Sequence, residues 1–175
     1  LMAAFVVIPT VLVNQLSIDP DQLWWVYLSL LGGGFIAMLP AMIFAEKCKA
    51  QKKTFVSAVG LMTIAMFVLG TTKSSVTIVL MLFVYFAAFN LLEASLPSWL
   101  SKVCPVGNRG TAMGIYSSCQ FLGTFAGGIL GGFALANVGV DVLFLLLAMM
   151  LLFWCLLACT MTSPKPLQTL ILQVG

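Results

Sequence analysis

Long apolar stretches alternate with short polar ones along this chain. Uniformly apolar runs occupy 23 to 45, 54 to 71, 76 to 97, 111 to 136 and 142 to 160. Crossing a hydrocarbon core of about 30 Å takes about 20 helical residues, so each run reads as one span. A sixth run, 1 to 16, is shorter and starts abruptly at Leu1, with no initiator Met and no basic flank like that of a signal peptide. It reads as the outer part of a helix cut off upstream, which makes the chain a fragment. The breaks between the runs are short and polar: Ser17 to Gln22 with Pro20, Lys47 to Lys53, Thr71 to Ser75, Ser98 to Gly110 with Pro105 and Gly107, and Asn137 to Asp141. Closed strands also satisfy the backbone in lipid, but they need alternating segments, and these runs do not alternate. The pattern predicts an all-α fold, a six-helix transmembrane bundle over 1 to 163 followed by a tail over 164 to 175.

Composition removes the soluble alternative: 62% of the 175 residues are hydrophobic and 7% charged, with a mean hydropathy of +1.14, whereas a soluble domain carries roughly 25% charge. The eight basic residues then orient the bundle, because Lys and Arg concentrate in cytoplasmic loops. Lys47, Lys49, Lys52 and Lys53 follow the second span, Lys102 and Arg109 the fourth, and Lys165 the sixth; Lys73 alone lies on the other side. Both ends of the chain are therefore expected in the cytoplasm, in an inner (plasma) membrane.

Candidate chemistry adds little beyond this. Cys48 and Cys104 fall in loops expected to be reducing, and Cys119, Cys155 and Cys159 fall within spans, where a small polarizable side chain packs well. Cys155 and Cys159 share a helix face, but without any histidine or clustered carboxylates they predict packing rather than a metal site. No nucleophile stands beside a base, so no enzyme and no cofactor are expected. The clustered lysines suit membrane lipid at an inner surface better than nucleic acid.

Polarity inside the spans is more informative, since polar groups in lipid are costly and tend to face a bundle interior or an aqueous path. Glu93 is the one acid or base within a span, with Asn90 a turn before it and Pro97 a turn after. If the span ends at Pro97, Glu93 lies about 6 Å from the cytoplasmic exit at 1.5 Å per residue. Two readings stay open: a latch pairing with Lys47, Lys102 or Arg109, and a carrier of a coupling proton. Further along, "GTFAGGILGG" holds five glycines in ten residues. On an ideal helix Tyr116, Gln120, Gly123, Gly127 and Gly131 fall within an arc of about 80°, and Ser117, Thr124, Gly128 and Gly132 fill the next 80° or so. Small residues four apart let helix backbones approach closely, so Gly123, Gly127, Gly128, Gly131 and Gly132 are expected to form a packing seam, static or sliding. Tyr116, Ser117 and Gln120 are candidates for lining a pathway together with Asn90, and Asn14 and Gln15 for facing it from the outer side.

These residues carry a resemblance. The six helices, the basic loop after the second, and the stretch "FNLLEASLPSWLSKVCPVGNRGTAMGIYSSCQFLGTFAGGILGG" resemble the C-terminal half, helices seven to twelve, of a major facilitator superfamily transporter. The likeness is closest over 84 to 132 and points to the YajR-type branch, associated with proton-driven drug efflux. The glycine stretch is similar to the antiporter motif, with Gly128 where that motif has proline, and it lies in the helix that is the pseudo-symmetry partner of the motif's own. "AEKCKAQKK" resembles the cytoplasmic loop motif, with Glu46 and Lys47 in its acid and base positions and without its glycines. Glu93 falls where such transporters place an acid in the inner gate.

The resemblance implies a half-transporter that rocks against an N-terminal half, coupling protons to export of small apolar or cationic molecules. Glu93 with Lys47, Glu46 and Arg109 is expected to close the cytoplasmic gate. It also implies a soluble domain beginning in "TLILQV". The alternative from another class is a non-transporting membrane module, a sensor or an assembly partner. An ion channel, which needs rings of polar residues, fits one acid in six helices poorly.

Overall fold

The computed structural model describes residues 2–47 and 51–161, apart from the side chains of Glu46 and Val106. Cys48, Lys49 and the tail 164–175 with its expected domain onset lie outside the described residues. Six α-helices account for most of the rest: α1 Met2–Asn14, α2 Leu23–Lys47, α3 Gln51–Leu69, α4 Ser75–Val103, α5 Arg109–Val138 and α6 Val140–Thr160. No strand occurs among the described residues. Five helices are long and apolar enough to cross a membrane, and α1 is a shorter apolar helix. The chain is a multi-pass membrane bundle.

The helices begin and end where turn chemistry dictates, with one informative difference. Between α5 and α6 the chain turns on a single residue, Gly139, at φ 79° and ψ 176°, a backbone region that essentially only glycine occupies. Its N–H closes on the Leu135 carbonyl at 3.2 Å. The difference is α4, which runs six residues beyond Pro97, the position where the apolar run suggested an end. Pro9, Pro40 and Pro97 all sit inside helices. Proline removes one backbone donor, but in a membrane bundle neighbouring helices and local adjustment tolerate that loss, so proline is a weaker stop signal than in water.

Packing is centred on α4, which lies against both α2 and α3; α3 also packs on α6, and α1 on α5. Lipid is as apolar as leucine, so close van der Waals fit rather than water exclusion drives this association. The core is built from Val7, Ile8 and Leu12 of α1, Met62 and Met66 of α3, Ile78, Leu82, Tyr85 and Phe86 of α4, and Phe144 of α6, all fully buried. Phe5 binds α1 to α4 through edge-on contacts with Tyr85, Phe86 and Phe89, its ring centroid 6.4, 5.4 and 5.4 Å from theirs. By contrast α5 buries only Gly131. Its Phe121, Leu122, Phe125, Leu130 and Phe133 are all more than 60% exposed on this chain.

Candidate functional site

The connection from α4 to α5 is only 104–108, so the two helices are antiparallel neighbours at that end. Counting from there, Glu93 is ten positions before the end of α4, and Gln120 is eleven after the start of α5. Both therefore sit at a similar depth, about 15 Å along their helices. The Gln120 Nε2 donates a hydrogen bond to the Glu93 Oε1. Glu93 is exposed on the surface of this chain and Gln120 is half-buried beside it. Glu93 is therefore further from the end of its helix than the apolar run suggested, because α4 does not stop at Pro97. That proline also has no N–H to offer the carbonyl four residues back, which is that of Glu93 itself.

Two of the three expected partners of Glu93 lie elsewhere. Lys47 ends α2, Arg109 starts α5, both are exposed, and among the described residues neither forms an ion pair with Glu93. The reason is axial distance: Arg109 is about 16 Å from Gln120 along α5 at 1.5 Å per residue, beyond the span of two side chains in contact. An ion pair does form at the opposite end of the bundle, where the Lys73 Nζ meets the Asp141 Oδ2 at 2.6 Å between exposed side chains. At the basic end, the Lys52 Nζ donates to the Cys159 carbonyl at 3.0 Å, a cation on the C-terminus of α6.

The other expected pathway residues are divided. Tyr116 and Ser117 are half-buried on the same side of α5 as Gln120. Tyr116 lines a cavity of about 260 Å³ among α3, α4, α5 and α6, with Lys52, Phe55, Leu96, Trp99 and Met161. Asn90 is engaged with α2, where its Nδ2 donates to the Leu31 carbonyl at 3.3 Å. Asn14 is exposed at the far end of α1, and the neighbouring Gln15 Oε1 is buried with no hydrogen-bond partner. Replacing Asn90 with leucine removes the tie to α2 and should lower stability by about 0.6 kcal/mol, the average for interhelical hydrogen bonds in a membrane. Thermal unfolding of the solubilised protein checks this; an unchanged midpoint would mean that the bond contributes nothing.

The glycine face splits in two as well. A Cβ built on Gly131 would lie 2.8 Å from the Cα and Cβ of Ala3, and one on Gly127 would lie 3.5 Å from the Met2 Cβ. Gly123, Gly128 and Gly132 have nothing within 4 Å of such an atom. So the first arc of α5 meets α1 and α4 of this chain, at Gly127 and Gly131 and through Gln120, while the arc of Gly128 and Gly132 opens outward. Sequence reading missed a second close approach, at Gly34 of α2. A Cβ there would stand 3.0 Å from the Phe86 carbonyl carbon and the Ala87 nitrogen of α4. The triple glycine 32–34 inside an apolar run was the available signal.

Comparison with known proteins agrees with this architecture. The sequence model of the Major Facilitator Superfamily matches residues 1–172. The chain is 37% identical over 175 residues to the protein called Inner membrane transport protein YajR of Escherichia coli (strain K12), covering 99% of this chain and 38% of that one. It is 31% identical over 139 residues to an uncharacterized transporter of Buchnera aphidicola subsp. Baizongia pistaciae, covering 75% of this chain and 34% of the relative. A second uncharacterized transporter, from Buchnera aphidicola subsp. Acyrthosiphon pisum, is 31% identical over 134 residues, 73% of this chain and 33% of the relative. The chain thus spans between a third and two fifths of the length of these relatives.

Proposed function

This chain belongs to the major facilitator superfamily, and from that premise we propose that it is the C-terminal six-helix half of a transporter moving small molecules by alternating access. The observation that carries this is Glu93. An acid about 15 Å inside the end of an apolar membrane helix is costly to expose to lipid, yet on this chain it is exposed. Its surroundings are completed by an aqueous path or by further protein, both of which a rocking pair of halves supplies. Glu93 and Gln120 then form the responsive element of the pathway, with Tyr116 and Ser117 beside it on α5. Lys47, Glu46 and Arg109 stand at the basic end as the outer ring of the gate.

The coupling proposed is proton antiport, giving efflux of apolar or cationic molecules from a cell whose inner membrane holds both ends of this chain on the cytoplasmic side. The likeness to a protein named for inner membrane transport, the basic residues at one end and the single intramembrane acid support that reading. The test is the full-length protein in sealed vesicles, with a fluorescent lipophilic cation outside and an acid interior imposed. Entry of the cation that collapses when a protonophore is added is the expected result. Movement indifferent to the gradient would remove proton coupling, and no movement would favour a non-transporting module.

A further inference from the structure

A groove of about 490 Å³ runs between α2 and α3, floored by α4, on a different flank from Glu93 and Gln120. It exists because α2 and α3 both pack on α4 and little on each other. Small residues keep it open: Ala37 and Ala41 on one wall, Ala58 on the other, Ala87 and Ala88 on the floor. From Lys53 to Leu61 it extends about 12 Å at 1.5 Å per residue. Its polarity is one-ended. Lys53, Thr54 and Ser57 stand at the basic end of the bundle, and the remaining lining is apolar. The Lys53 side chain is exposed there, as is that of Lys47 at the end of α2.

We propose that this groove holds an anionic phospholipid of the leaflet facing the basic end, one acyl chain lying on Ala87 and Ala88 and the phosphate at Lys53, with the hydroxyls of Thr54 and Ser57 beside it. Charge complementarity selects an anionic headgroup, since juxtamembrane lysines attract acidic lipids.

The experiment uses the full-length protein in phosphatidylcholine vesicles containing phosphatidylglycerol with a photoactivatable acyl chain, and maps the labelled peptides by mass spectrometry. Label is expected on the α2 and α4 segments 37–41 and 87–91. The same probe chain on phosphatidylcholine should label these segments about fivefold less, matching about 1 kcal/mol per basic residue at the surface. Lys53→Gln should bring the two lipids level. Ser57→Phe, at an exposed wall position, should narrow the groove and remove the label from both lipids while the thermal midpoint stays unchanged. Absence of label in these segments would mean that other protein covers the groove and would overturn the proposal. Equal labelling by the two lipids in the unaltered protein would overturn its headgroup.

Discussion

Glu93→Gln should abolish proton-driven accumulation of substrate in the full-length protein, lowering it at least about tenfold, which corresponds to about 1.4 kcal/mol. Glutamine keeps the shape of the side chain and an oxygen that accepts from the Gln120 amide, so the α4–α5 contact survives. What is lost is the charge and the site where a proton can bind. The two roles open for Glu93 then separate. A residue that carries the coupling proton is not needed when substrate exchanges for substrate with no gradient, so exchange persists while accumulation fails. A residue that only latches helices together slows both. Normal accumulation with normal dependence on the gradient would sink both roles.

Gln120→Ala supplies the internal control for that result. It removes the donor to Glu93 while leaving the carboxylate, so it should weaken accumulation less than Glu93→Gln does. Both variants keep α4 and α5 at similar burial, since neither residue belongs to the buried core.

The origin of this site was only partly legible in the sequence. The six helices were, because lipid demands uninterrupted apolar runs and the breaks between them are polar. So was Glu93 as the single acid in a span. The end of its helix was not, because Pro97 reads as a stop in water, whereas α4 continues to Val103 through "SWLSKV". Nor does periodicity reveal that the side chain reaching Glu93 is Gln120 of the next helix. Asn90 illustrates a different limit. Its polarity marked it as facing something, but only the placement of α2 reveals that it faces the Leu31 carbonyl. Which helix a face meets is set by three-dimensional packing, and periodicity gives the face alone.

The glycine face turns that limit into the second large expected effect. Gly131→Val places a branched side chain where a single Cβ already comes within 2.8 Å of the Ala3 backbone. Backbone cannot rotate away as a flexible side chain would, so α1 and α5 must part. The expected cost is about 1–3 kcal/mol, as for overpacking in a close-fitted core, read as a lowered thermal midpoint and poor recovery of folded protein. Gly128→Val and Gly132→Val carry the same chemistry into positions with nothing within 4 Å on this chain. Steric strain within this bundle therefore predicts little loss of stability for either. If the outward arc is also where α5 meets a second half, these two variants should fold normally and lose flux. A Gly131→Val protein as stable as the unaltered one would refute the close contact with α1. Gly128→Val and Gly132→Val proteins with full flux would show that the outward arc meets nothing that moves.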